Sequence, residues 1–325
     1  MKKTACRTIC FTLAILLGVM LMSCSPAIYR NPIGNFEKST LSARDIYFSQ
    51  LKASHKSFVV RQEAKLKLDI ITAEDYDFRS DEHRDQEKRI AALHSEKSIP
   101  EQSLKLRQRA FEVLEYYGKT LQVLASDEST EGLKTELIGL TEELEKLIGT
   151  ADTLSSTYET FKFFTPVADW AGPIGSAADV LEKLVRIVSD YVREKAIKQA
   201  ILAADSVIQE LLGLLQQEAV GAAEFQGDNY RQTLRECTGT VAIVGLTGAA
   251  EKYLAYELCA GYQKKVEHLP DAAEVKEVFD LVRQSHKEMK AYAETGDFEK
   301  MIQPIRKYQE RIDDLKTKFK MRFDD

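Results

Sequence analysis

The stretch that decides the fold is residues 133–161, LKTELIGLTEELEKLIGTADTLSSTYETF. Its apolar positions alternate spacings of four and three over about four heptads, which places them on one seam of a helix. The seam consists of Leu133, Leu137, Leu140, Leu144, Leu147, Ala151, Leu154, Tyr158 and Phe161. Such a helix packs lengthwise against a partner. With this partner it forms either part of an ordinary bundle or a two-stranded coiled coil. The coiled coil is disfavoured because Gly139 and Gly149 are expected to interrupt the helix.

The segment that follows, 163–175, reads FFTPVADWAGPIG. Two prolines and two glycines do not fit the middle of a regular helix, so the chain is expected to turn here. A second long helix is predicted over 176–224. The two helices would then flank an apolar turn as a long antiparallel helical hairpin.

The rest of the chain is also predicted to be helical, because the whole sequence contains only seven Pro and 16 Gly. With 44% hydrophobic residues the chain can bury a substantial core. Further helices are expected at about 39–70, 100–126, 229–237, 249–268, 271–294 and 297–323. Residues 81–97, which have mixed charge and few apolar side chains, are expected to form either a solvated helix or a mobile connection. The predicted fold class is an all-α, elongated helical bundle, with residues 36–325 as a single domain.

Residues 1–25, MKKTACRTICFTLAILLGVMLMSCS, have the character of a secretory signal. Lys2, Lys3 and Arg7 form a basic start, and the uncharged core 11–22 is too short for a stable membrane span of about 20 residues. The signal peptide is predicted to occupy residues 1–23 and to be removed. Its removal takes away three positive charges and no negative ones, so the formal charge falls from −6 to −9.

The end of the signal, Leu21-Met22-Ser23-Cys24, resembles the lipobox of bacterial lipoproteins. The resemblance implies that the Cys24 thiol is lipidated, for example with palmitate, and becomes the mature N-terminus. Ser25 is permissive for the outer membrane in that class. The implied location is therefore the bacterial cell envelope, where the protein would be anchored to the outer membrane and face the periplasm. Residues 24–35, which contain Pro26, Pro32 and Gly34, would form a short lipidated tether.

Two cysteines remain after the signal is removed and Cys24 is lipidated. In an oxidising envelope compartment Cys237 and Cys259 are a plausible disulfide pair. One continuous helix over 237–259 would hold their sulfurs roughly 33 Å apart, so the bond requires the chain to fold back between them. Two separate buried thiols in adjacent helices are the alternative.

No catalytic residue, metal site or cofactor site is predicted. His83 and His94 share a helical face but lie about 16 Å apart along the axis, too far to bind one metal ion. Three other histidines are expected to be solvated on the surface: His55, His268 and His286. Paired carboxylates are assigned to solvated helix surfaces. The acidic mature chain is a poor partner for nucleic acid, and no small-molecule substrate is identified.

The sequence therefore predicts a non-enzymatic scaffold, adaptor or assembly factor, anchored to the membrane by lipid and binding another envelope protein through its helical faces. A rival hypothesis rests on the apolar segment around Trp170. An architecture resembling α-helical pore-forming toxins would use such a segment as a membrane-touching tip. The tip would consist of Phe163, Phe164, Val167, Trp170 and Ile174.

Overall fold

All the secondary structure in the computed structural model is helical over the residues that the structure describes, which are 26–72, 80–94, 101–126, 130–154, 164–190, 193–243, 249–296 and 298–324. The predicted all-α helical bundle is thereby confirmed. Among these residues, a short 3-10 turn, Pro26–Tyr29, precedes nine α-helices. They are α1 (Arg30–Thr72), α2 (Asp81–His94), α3 (Glu101–Ala125), α4 (Thr130–Leu154), α5 (Val167–Asp190), α6 (Arg193–Ile243), α7 (Ala249–Glu267), α8 (Ala272–Thr295) and α9 (Phe298–Asp324).

The longest helix, α6, is the spine of the bundle. Its 51 residues span about 75 Å, and α1, α3, α5, α7 and α8 all pack against it. Helix α1 runs parallel to α6, because Tyr47 pairs with Glu218 near the middle and Asn229 reaches Ser57 further along both helices. Helices α3 and α8 run in the opposite direction. The bundle is therefore elongated, as the sequence predicted.

The helices enclose two hydrophobic cores. The main core contains the predicted seam: Leu133, Leu137, Leu140, Leu144, Leu147 and Leu154 are buried, while Ala151 packs against them half-buried. Tyr158 and Phe161 lie outside the described residues. A second, smaller core joins the last part of α1 and of α6 to α7, and we call this part of the molecule the distal lobe. Its buried residues are Ala64, Leu68, Tyr230, Cys237, Cys259 and Tyr262.

Glycine does not interrupt α4. At Gly139 an added Cβ would lie 2.5 Å from a ring carbon of Tyr116 on α3, so the missing side chain allows α3 and α4 to approach closely. At Gly149 an added Cβ would meet nothing within 4 Å. Helix α4 therefore continues through both positions as one face of the α3–α4 pair, in an ordinary bundle rather than an isolated coiled coil.

The predicted tether over residues 24–35 is wrong for the part that the structure describes. Residues 30–35 are the first residues of α1, and Tyr29 and Ile33 are buried in the main core. Pro32 is tolerated because the first four N–H groups of a helix have no intrahelical partner. The folded body therefore begins only two residues after Cys24.

The predicted turn over residues 163–175 is shorter than expected. Helix α5 already begins at Val167 and runs through Pro173, so the break is confined to 164–166 among the described residues. Pro166 disfavours a helical conformation for Thr165 and ends any helix before it. Pro173 removes one ladder bond, whose acceptor would be the carbonyl of the exposed Asp169, where water can substitute.

The hairpin is also divided differently from the prediction. The expected helix over 176–224 is the end of α5 and the first part of α6, on either side of residues 191–192. Helix α4 packs against α3 and α5, and α5 packs against α6. The predicted break at about 225–228 is absent, because α6 continues from Arg193 to Ile243.

Candidate functional site

The N-terminal end of the bundle is the region closest in sequence to the predicted lipidation site. Cys24 itself lies outside the described residues. Tyr29 is fully covered and packs on Tyr292 of α8, with ring centroids 5.0 Å apart. Burial raises the pKa of the Tyr29 hydroxyl far above its usual value. This end is therefore firmly packed, and an acyl chain on Cys24 would be attached almost directly to it.

The predicted membrane-touching tip faces into the bundle. Phe164, Trp170 and Ile174 are each at most 5% exposed, and Val167 is half-buried. Phe163 lies outside the described residues. An exposed apolar tip is therefore wrong for the four described residues in this conformation. The reason is that two of these side chains, those of Phe164 and Trp170, cover a charged group inside the bundle.

That charged group is the guanidinium of Arg107 on α3. Its central carbon lies 4.3 Å from the centroid of the Phe164 ring and 5.5 Å from that of Trp170. The opposite charge comes from Glu218 on α6. Arg107 Nε donates to Glu218 Oε2 at 3.0 Å and Arg107 Nη2 donates to Glu218 Oε1 at 2.7 Å, a bidentate pair in which both side chains are 0% exposed.

The remaining hydrogen bonds of this pair are provided by its neighbours. Tyr47 O–H donates to Glu218 Oε2 at 2.5 Å, and the Thr165 N–H donates to Glu218 Oε1 at 2.9 Å. The Thr165 hydroxyl also donates to Glu218 and accepts from Trp170 Nε1 at 2.9 Å. Burial and the Glu218 charge hold the pKa of Tyr47 well above its usual value. The network is closed and satisfied, which is typical of a group that fixes helix positions.

A second buried network surrounds His286 of α8, so the expectation that His286 is a solvated surface residue is wrong. The ring is 0% exposed, and its Nε2 lies 2.9 Å from the Tyr117 hydroxyl of α3. Its Nδ1 lies 3.1 Å from Asp205 Oδ1 on α6. The arrangement suits a neutral imidazole that donates to Asp205 and accepts from Tyr117. His268 is exposed and His55 is half-buried.

Hydrogen bonds and burial decide which of the groups around His286 are charged. Lys290 Nζ donates to the other oxygen of Asp205 at 2.8 Å. The hydrogen bond from His286, helped by Lys290, lowers the pKa of Asp205 to about 2. Burial lowers the pKa of His286, which keeps the imidazole neutral near pH 7. A Tyr–His–Asp array could move a proton. Here, however, Tyr117 and His286 are buried, and so is Phe36, which packs on the His286 ring. These side chains leave a substrate no access.

Cys237 and Cys259 are joined by a disulfide in the distal lobe. Their sulfurs are 2.04 Å apart and their Cα atoms 5.7 Å apart. The bond links α6 to α7, which pack against each other. Gly239 lies within α6, and residues 244–248 lie outside the described residues.

Exposed aromatic side chains stand on α7 next to the disulfide. Tyr253 and Tyr256 are 63% and 67% exposed, the largest exposed aromatics among the described residues. A spacing of three residues puts them on the same face of the helix. In the described part of the chain, no helix has the length and apolar character needed to cross a membrane, and no three metal-ligating side chains cluster together.

Comparison with known proteins gives no match to this chain among protein families, curated proteins or solved structures.

The burial of Arg107, Glu218 and His286 was not predicted from the sequence, although each residue continues a buried helical face. Glu218 lies three residues after the buried Leu215, and His286 lies four residues after Val282. An uninterrupted apolar spacing through a charged residue was the available signal. The sequence could not show which opposite charge, 111 positions away, meets Arg107.

Proposed function

We propose that this protein is a lipid-anchored bacterial envelope protein that acts without enzymatic activity, as a scaffold, adaptor or assembly factor for another envelope protein. The observation that carries the proposal is the sequence Leu21-Met22-Ser23-Cys24 at the end of a secretory signal. The packed Tyr29 supports it, since only a few residues separate this rigid end from the anchor. The disulfide fits an oxidising compartment.

The elongated shape supports a scaffolding role. Along α1, Leu68 in the distal lobe lies about 55 Å from Arg30 at the anchored end. A bundle standing on its N-terminal end would hold the distal lobe well away from the membrane surface. The parallel α1 and α6 connect the two ends, and the disulfide fastens α7 to them.

The exposed face of α7 is the part of this lobe best suited to contact a protein. Tyr253 and Tyr256 offer amphipathic rings at low cost in side-chain entropy, and tyrosine is enriched at protein interfaces. We therefore assign the partner contact to this face.

The rival function, membrane insertion of an apolar tip, gains no support from the geometry. Releasing Phe164 and Trp170 would expose the Arg107–Glu218 pair that they cover. It would also break the hydrogen bonds by which Thr165 and Trp170 belong to the buried network.

The scaffold proposal is tested by photo-crosslinking in intact cells. A photoreactive amino acid replaces Tyr256 in one variant and Lys307, an exposed residue of α9, in the control. We expect one discrete crosslinked envelope protein from position 256 and not from position 307. Equal products at both positions, or none at 256, would contradict the assignment of the partner contact to α7.

A further inference from the structure

A cleft of about 270 Å³ lies where the distal lobe meets the main bundle. Its walls come from α1, α6, α7 and the end of α9. Gly261, Lys264, Lys265 and His268 line it from one face of α7, because their spacings of three, one and three return to the same side of a helix. Gly261 has no side chain to fill the space, and an added Cβ there would meet nothing within 4 Å.

The cleft is positively charged in a protein whose formal charge is −6. Lys56 and Lys264 contribute two ammonium groups, and Arg322 adds a guanidinium that is paired with Glu274. No carboxylate is among the described residues that line the cleft. Clustered like charges around one concavity repel each other and attract a counter-ion, so the arrangement favours an anion.

Two buried polar side chains at the base of the cleft have hydrogen-bonding capacity to spare. Tyr230 is 5% exposed, and its hydroxyl makes no hydrogen bond to the described residues. Gln226 is 7% exposed and its Oε1 accepts from Gln50 at 2.7 Å, which leaves its amide nitrogen as a donor that the described residues do not use. Neither atom is among the described side-chain atoms that are fully buried without a partner, so water in the cleft can reach both. A ligand oxygen that displaces this water would accept the two hydrogen bonds.

We propose that this cleft binds a phosphate-bearing ligand. The lysines provide the charge, and the Tyr230 hydroxyl and the Gln226 amide donate hydrogen bonds to phosphate oxygens at the base. The phosphate could belong to a soluble compound or to a lipid headgroup. Ala53, which also lines the cleft, lies about 35 Å along α1 from Arg30, which favours the soluble source if the N-terminal end is anchored.

Two measurements separate these sources in the lipidated protein, purified in neutral detergent. Isothermal titration calorimetry with inorganic pyrophosphate tests the soluble ligand. The shift in melting temperature caused by phosphatidylglycerol, relative to phosphatidylcholine, in the micelles tests the headgroup, since a ligand that binds the folded state stabilises it. We expect saturable pyrophosphate binding. A phosphatidylglycerol-specific shift without pyrophosphate binding would support the same cleft with a lipid source.

Variants then locate the binding. Lys56→Ala combined with Lys264→Ala should weaken binding by about tenfold, because each removes a charge-assisted contact. Tyr230→Phe, which removes only the hydroxyl, should weaken it less. The control is Lys134→Ala combined with Lys307→Ala, two exposed lysines elsewhere, and should bind as the wild type does. Absence of both effects in the wild-type protein, or equal weakening in the control, would overturn the proposal.

Discussion

Glu218 is the acceptor at the centre of the buried network around Arg107. Its carboxylate accepts from Arg107, Tyr47 and Thr165, which belong to three different segments of the chain. Because all of these groups are buried, removing the carboxylate leaves an uncompensated guanidinium and three donors without their acceptor, the Tyr47 hydroxyl and the Thr165 N–H and hydroxyl. The pair is thus costly to break, whatever its net contribution when intact.

We therefore expect Glu218→Ala to lower the free energy of unfolding by about 3–5 kcal/mol, measured by urea denaturation. The matched control is Glu182→Ala, whose carboxylate pairs with Arg186 on the surface of α5, where both side chains are more than two-thirds exposed. That change should cost at most about 0.5 kcal/mol. Equal losses in the two variants would contradict the assigned role of the buried pair.

The second residue with a testable signature is His286. Tyr117 faces it from α3 and Asp205 from α6, with Lys290 one turn further along α8. Burial lowers its pKa below the usual value of 6.5, so the unfolded chain binds a proton that the folded chain excludes. Stability therefore falls as pH drops below about 6.5 and stops falling for this reason below the folded pKa.

Asp205 acts in a different pH window. Its pKa is about 2 in the folded protein, below the usual value of 3.8, so its contribution to stability is present above pH 3.8 and lost as pH falls towards 2. Between pH 7.5 and 4.5 the slope from this network thus reports His286.

We expect His286→Gln to reduce the pH dependence of stability between pH 7.5 and 4.5, measured as the denaturation midpoint at several pH values. A slope unaffected by His286→Gln would show that other groups titrate on unfolding in this range.

At the scale of elements, helix boundaries were predictable where local chemistry fixes them. Helix α8 begins after Asp271, whose side chain accepts from the N–H of Ala273 at 2.9 Å. It ends at Gly296, which has φ 76° and donates its N–H to the Tyr292 carbonyl. The predicted range 271–294 differs from the observed Ala272–Thr295 by one residue at each end.

Boundaries that depend on tertiary contacts were not predictable from the sequence. Pro32 and Gly34 read as a tether, but the burial of Ile33 stabilises a helix whose first turn has no need of the proline N–H. Likewise the sequence cannot show that Trp170 and Phe164 cover Arg107, since the contact joins separate helices. An apolar segment alone therefore suggested exposure where the fold provides burial.

The disulfide controls the distal lobe, whose own core is small. Removing the cross-link by Cys237→Ala and Cys259→Ala opens a loop defined by a sequence separation of 22, worth roughly 3 kcal/mol in the chain-entropy model. We expect faster amide hydrogen exchange throughout α7 and little change in α8, which packs on the main core. Unchanged exchange in α7 would mean that the small core holds this helix without the bond.

At the scale of the whole molecule, the proposed anchor rests on the sequence and the proposed binding cleft rests on the structure. The address proposed for residues 1–25 rests on local sequence alone. The basic cleft was not readable, because Lys56 and Lys264 are 208 positions apart and meet only after α1 and α7 pack on α6. The proposed roles therefore lie at opposite ends of the bundle. Anchoring is assigned to the N-terminal end, which contains Tyr29, and recognition to the distal lobe.

The central claim is anchorage through Cys24, and metabolic labelling with a fatty acid tests it most directly. Buried acyl chains contribute about 0.8 kcal/mol per CH₂, a total that adsorption of the acidic body could not replace. We expect the label on the N-terminal peptide of the mature wild-type protein and none on Cys24→Ala, which should remain unprocessed or become soluble. Label retained on the Cys24→Ala protein would contradict the lipid anchor.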